Sequence, residues 1–169
     1  IDADSGQLKS VEALIRWQHP QRGLISPADF IPFAERTGQI VVIGQWVLQQ
    51  ACQDIVEWNK KHAATLSVAV NLSPLQFRRT GFLHDLQKTL ADTQLPPELL
   101  KIEVTETMLI AGADRSSEIL NAVRDLGVKV SVDDFGTGYS SLSYLRTLPI
   151  DEIKLDRGFI EHLPENEKD

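Results

Sequence analysis

Apolar and polar residues alternate with a two-residue period in five short stretches. At residues 128–133, Val128, Val130 and Val132 alternate with Lys129, Ser131 and Asp133. At 66–72, Leu66, Val68, Val70 and Leu72 alternate with Ser67, Ala69 and Asn71, and at 100–105 Leu100, Ile102 and Val104 alternate with Lys101, Glu103 and Thr105. Residues 10–17 place Glu12, Leu14 and Arg16 on one face, and residues 152–156 carry Lys154 on the polar side. Each reads as a strand with one apolar and one polar face. Helical periodicity fills the gaps. Ser26 and Pro27 mark the start of a helix that carries Phe30, Ile31, Phe33 and Ala34 and stops at Gly38. A longer helix is predicted over 42–61, others over 82–92 and over 113–126, the last closed by Gly127. Trp46 and Trp58 fall at helical spacing in the long helix, so they read as packing residues rather than a nucleic-acid stacking platform.

Strands alternating with helices predict a parallel α/β fold. A doubly wound sheet is covered on both faces and wants strands apolar on both sides. These strands are apolar on one side only. The polar side collects Glu12, Arg16, Asn71, Glu103, Asp133 and Lys154, at least one per strand. A barrel uses such a face as its inner wall, with chemistry at the carboxyl ends of the strands. Five strands do not close a barrel of eight, so the pattern predicts a partial one.

The chain has 169 residues, enough for one core. Its balance of 17 basic and 24 acidic side chains, net −7, argues against coating a nucleic-acid polymer. Cys52 is a lone cysteine in an amphipathic helical run and reads as a small buried apolar residue. No apolar run approaches the roughly 20 residues of a membrane span, so no membrane contact is expected and a cytoplasmic setting is the default. Asp2 and Asp4 resemble the start of a calcium loop, but Gly6 and Gln7 stand where the template wants a ligand and then glycine. His19, His62, His84 and His162 show no paired metal-ligand spacing. The segment Gly136-Thr137-Gly138 lacks the third glycine of a dinucleotide fingerprint and reads as a loop over the site, with Ser140 or Ser141 capping a short helix.

Glu12, Asn71, Glu103, Asp133 and Asp134 are hard oxygen donors of the kind that hold magnesium, manganese or calcium, and not a thiolate-rich zinc site. Gathered in one barrel, four carboxylates would repel, and burial would raise their pKa values; divalent cations remove that cost. Asp133 could bridge two ions while Asp134 takes the second, an arrangement suited to phosphodiester hydrolysis. Lys154 could position the water, and a lysine beside cations loses its proton readily. On pattern alone a second reading stays open, in which the polar faces simply meet solvent.

Five motifs in order then carry a resemblance. Glu12-Ala13-Leu14 with Ile15-Arg16-Trp17, Asn71-Leu72-Ser73, Glu103-Val104-Thr105-Glu106, the run from Asp133 to Leu142, and Ile153-Lys154-Leu155-Asp156-Arg157 resemble the motifs of the EAL-domain family, the bacterial cyclic di-GMP phosphodiesterases. The resemblance implies a modified TIM barrel whose first strand runs antiparallel to the rest. It implies hydrolysis of cyclic di-GMP to linear pGpG with two Mg2+ or Mn2+ ions. By motif, Glu12, Asn71, Glu103 and Asp133 resemble the ligands of one metal, and Asp133 and Asp134 those of the second. Lys154 resembles the residue that orients the nucleophilic water, and Glu12, Asp133 and Lys154 together form the implied catalytic set. Leu14 and Arg16 resemble contacts to the dinucleotide, with Asp156 lining the same mouth. Glu106 resembles the anchor of loop 135–141, which opens on Phe135 and closes on Ser141 and which family members use to couple homodimerisation to catalysis.

The resemblance further implies that residues 1–169 are one EAL domain without its first strand and last two strands, strands two to six being present. The absent strands would carry a substrate-contacting glutamine, a catalytic glutamate and a further glutamine. The parent is expected to carry sensory or GGDEF domains and could be membrane-anchored. Gly158 stands where the family usually has serine, a minor departure. The alternatives are a degenerate EAL domain that binds cyclic di-GMP without cutting it, and a regulatory dimerisation module. A degenerate receptor would typically lose metal ligands or the loop motif, and here every visible one is present.

Overall fold

The computed structural model describes residues 1–2, 4–110, 113–136, 148–156 and 158. The expected cap at Ser140 or Ser141, His162, most of loop 135–141 and the polar tail lie outside the described residues. Strand β1 is Ser10–Ala13, β2 Trp17–His19 and β3 Gly23–Ile25. Helices α1, Pro27–Arg36, and α2, Ile40–His62, follow, then β4, Ser67–Asn71, α3, Pro74–Arg78, and α4, Phe82–Thr93. A 3-10 turn leads into β5, Leu100–Thr105, then α5, Glu106–Ile110, α6, Ala113–Asp125, β6, Lys129–Phe135, and β7, Glu152–Leu155. Five strands form one parallel sheet in the order β1-β4-β5-β6-β7, which is a half barrel.

The alternation read from the sequence sets the two faces of this sheet. Val68, Val70, Ile102, Val104, Val130 and Val132 are buried in one core with Leu48, Cys52 and Ile55 of α2, Leu86 and Leu90 of α4 and Leu120 and Val123 of α6. Each such side chain contributes about 1.5–3 kcal/mol on burial, enough to fix the register, because a one-residue slip would turn every valine inward. Cys52 is fully buried within this core, and burial pushes its thiol up to about 12. The inner face carries the polar set.

Three local expectations are corrected. The strand expected over 10–17 stops at Ala13, because β4 ends one residue beyond its pairing with Ala13. Residues 17–25 instead form the antiparallel hairpin β2-β3, where the sequence suggested a loop. Gly23, at φ +71°, supplies the left-handed turn that a short hairpin loop requires. Trp46 and Trp58 are not core residues: they are 59% and 51% exposed. Trp58 stacks on His62 with ring centroids 4.2 Å apart, and Trp46 flanks an apolar groove with Trp17, Phe30 and Phe33.

Helix α3 is held by a reciprocal cap. The Gln76 N–H donates to Ser73 Oγ, and the Ser73 N–H donates to Gln76 Oε1, both at 3.2 Å. The buried Gln76 amide lies against Gly44 near the start of α2, where an added Cβ would stand 1.9 Å from Gln76 Nε2. Glycine inside a helix costs about 1 kcal/mol relative to alanine, so Gly44→Ala would stabilise an isolated helix. Here overpacking of about 1–3 kcal/mol and loss of the cap, about 1 kcal/mol, outweigh that gain. Gly44→Ala is therefore expected to lower the melting temperature, measured by circular dichroism; an unchanged or higher value would contradict the close approach.

Candidate metal and catalytic site

The inner-face residues nearest the carboxyl ends of the strands converge. Glu12 on β1, Glu103 on β5 and Asp133 on β6 each offer a carboxylate oxygen, and the three oxygens lie within 4.8 Å of one another. The registers stagger them: Asn71 pairs directly with Glu103, whereas Glu12 pairs with Ala69, two residues before Asn71, and Asp133 with Thr105, two residues after Glu103, so the convergence goes with the strand tilt of a barrel wall. The Asn71 Nδ2 on β4 donates to Glu12 Oε1 at 2.7 Å, which commits the amide nitrogen and leaves its carbonyl oxygen as the ligand-type atom.

Lys154 on β7 reaches into the same cluster. Its Nζ donates to Glu103 Oε2 at 3.0 Å and to Glu12 Oε2 and Asp133 Oδ2 at 3.3 Å each. Glu103 is 2% exposed, and burial pushes its carboxyl above the ordinary value, with the Lys154 hydrogen bond pulling the other way. Burial alone would lower the Lys154 ammonium. The hydrogen bond to Glu103 and then the charges of Glu103, Asp133 and Glu12 outweigh it and hold the ammonium well above the ordinary lysine range. The polar inner face therefore carries a convergent charged cluster joined by ion pairs, with Glu103 buried and Glu12, Asp133 and Lys154 partly open to solvent.

Asp134 sits apart from the three-carboxylate group. A register irregularity between β6 and β7 falls between Val132 and Phe135, and Asp134 adopts φ +53° within it. Aspartate tolerates this left-handed conformation better than most residues. The turn directs Asp134 to a cleft lined also by Leu14, Arg16, Asn71 and Thr105. Its carboxyl is raised first by burial, then by the charges of Asp133 and Asp156. Arg16 stands off the strand, with Nη1 donating to the Ile15 carbonyl at 2.8 Å, and Leu14 is 56% exposed. Glu106, 2% exposed, accepts the Gly136 N–H through Oε2 at 2.8 Å and so pins the start of loop 135–141. The sequence reading overlooked the seating of α3 on Gly44, although the Ser73-x-x-Gln76 spacing of a capping box signals the helix start.

A match to the EAL domain family spans residues 1–169. The chain belongs to the EAL domain family. Over 167 residues it is 48% identical to the bifunctional diguanylate cyclase/cyclic di-GMP phosphodiesterase MucR of Pseudomonas aeruginosa, covering 99% of this chain and 24% of that protein. It is 41% identical over 164 residues to the cyclic di-GMP phosphodiesterase NbdA of the same organism, covering 97% of this chain and 21% of NbdA. The chain thus spans about a quarter or less of these relatives. The solved structure of the MucR phosphodiesterase in complex with c-di-GMP superimposes with a TM-score of 0.91 at 48% identity, covering 96% of this chain and 66% of that one. The EAL domain of Mycobacterium smegmatis DcpA gives a TM-score of 0.68 at 33% identity, covering 74% of this chain and 56% of that one. These likenesses bear out the barrel-type α/β fold and the family reading. Among the described residues, no helix is long and apolar enough to cross a membrane.

Proposed function

We propose that this chain is the half-barrel part of an EAL domain that hydrolyses cyclic di-GMP to linear pGpG within a larger cytoplasmic or membrane-anchored signalling protein. The observation that carries the reading is the convergence of Glu12, Glu103, Asp133 and Lys154 into one cluster on the inner face of the half barrel. Three carboxylates and an amide oxygen form a hard donor set that fits magnesium or manganese. Glu12, Asn71, Glu103 and Asp133 would hold one ion, and Asp133 with Asp134 a second. When bound, two such cations supply Lewis acidity to the phosphoryl oxygens and lower the pKa of water. The chain's own residues do the rest. Lys154 orients the water and stabilises negative charge that develops in the transition state. Arg16 and Leu14 bind the dinucleotide at the cleft mouth, and Asp156 lines it. Glu106 holds the start of the loop that couples a homodimer contact to the site.

The test is the full-length protein that carries this chain, assayed with cyclic di-GMP and Mn2+, with pGpG followed by chromatography. The reading requires metal-dependent pGpG formation. Tight cyclic di-GMP binding without product would favour the receptor reading instead. In the same assay Arg16→Ala is expected to raise KM about tenfold with kcat little changed, because a guanidinium binds the phosphates in the ground state as well as the transition state. A fall in kcat at constant KM would contradict that assignment.

A further inference from the structure

Directly beneath the carboxylate cluster lies a second charged pair. Lys101 Nζ meets Glu152 Oε2 at 2.5 Å, crossing from β5 to β7 over the intervening strand β6. The Lys154–Glu103 pair crosses the same strand in the opposite sense. Ser131 lies between them, register partner to Glu103 on one side and to Glu152 on the other. It is fully buried, and its Oγ has no hydrogen-bond partner among the described residues. A small side chain at this point leaves room for both pairs to span β6.

The arrangement offers Lys101 two carboxylates, Glu152 across β6 and Glu103 on its own strand. Lys101 and Glu103 are two residues apart on one face of β5, as Glu152 and Lys154 are on β7. Residues so placed are separated by about 6.6 Å along a strand, within reach of a lysine side chain. The observed partition gives Glu152 to Lys101 and leaves Glu103 to Lys154. The Lys101 side chain is 11% exposed and has few alternative directions, whereas Glu152 is 46% exposed.

We infer that Glu152 is a positioning residue that holds Lys101 away from Glu103, so that Glu103 stays available to a cation and to Lys154. The inference rests on the functional reading of Glu103 above. Without the Glu152 carboxylate, the Lys101 ammonium turns to the next anion on its own strand face, which is Glu103. It then competes with a divalent cation for that oxygen. Glu152 is half-exposed, so losing its charge costs the fold little, and the effect falls on the site.

The experiment measures Mn2+ affinity by electron paramagnetic resonance, with kcat, KM and melting temperature, in the full-length protein and three variants. Glu152→Gln is expected to weaken Mn2+ binding about tenfold, the size of coupling that charges in contact show, while the melting temperature moves by only a few degrees. Adding Lys101→Met to Glu152→Gln is expected to restore Mn2+ affinity, because the competing ammonium is gone. Lys101→Arg alone, which keeps the pair with Glu152, is expected to bind Mn2+ like the wild type. A double variant as weak as Glu152→Gln, or a Glu152→Gln protein with wild-type Mn2+ affinity, would overturn the inference while leaving the site assignment standing. A wild-type protein that binds no Mn2+ would overturn the site assignment itself, and this inference with it.

Discussion

Asp133→Asn in the full-length protein is expected to lower kcat about 10²–10³-fold, the cost of losing one preorganised electrostatic contact in an active site. The substitution keeps shape and volume and removes one negative charge. Asp133 stands where that charge counts twice. Its Oδ2 lies 3.3 Å from Lys154 Nζ, and its carboxylate closes the triangle with Glu12 and Glu103. Asparagine retains one ligand-type oxygen but cannot bridge with two anionic ones, so Mn2+ affinity falls as well. Because the lost interaction is strongest when the phosphoryl oxygens gain charge, turnover suffers more than nucleotide binding. Steady-state kinetics with direct measurement of cyclic di-GMP binding checks this. Near-normal turnover would refute the role of Asp133 as a shared carboxylate.

Lys154→Met is expected to lower kcat about 10²–10⁴-fold, the range for loss of a positioned proton-handling group, and to act on metal binding in the opposite direction. In the structure the Lys154 ammonium neutralises the same three carboxylates that a cation would hold. It therefore competes with the cation, and its removal should tighten Mn2+ binding. Removal also leaves buried Glu103 without its ammonium partner, so the metal-free variant should melt below the metal-free wild type. Saturating Mn2+ should recover that loss, since a ligand bound only by the folded state stabilises it by mass action. Differential scanning calorimetry with and without Mn2+ reads both arms. A variant whose melting temperature does not respond to Mn2+ would show that the carboxylates are not a cation site.

Much of this site was legible in the sequence because a strand's two-residue period fixes which face each side chain takes. Asn71 and Glu103 alternate with core valines, leucines or isoleucines, Asp133 follows core Val132, Glu12 lies between the partly buried Val11 and Ala13, and Lys154 lies between the exposed Ile153 and Leu155; the parallel sheet then brings them together. What periodicity does not carry is where a neighbouring strand ends. Alternation persists to Trp17, yet β1 stops at Ala13, and Arg16 leaves the face that the pattern assigns to it. The fate of Asp134 was hidden for another reason. Adjacent strand residues point to opposite faces, and only the irregularity at Val132–Phe135 and the positive φ of Asp134 turn it toward the mouth. Trp46 and Trp58 share the helical period of core residues, but periodicity does not say whether anything covers that part of α2.

The central claim is that Glu12, Glu103 and Asp133 form one cation site that Lys154 shares. Mn2+ titration followed by electron paramagnetic resonance tests it most directly, on the full-length wild type, Glu103→Gln and Lys154→Met. Glu103 is the buried member of the cluster, and its glutamine variant removes charge without opening a cavity. The account predicts affinity in the order Lys154→Met, wild type, Glu103→Gln, with about tenfold or more between the first and the last. Equal affinity in all three proteins would contradict it.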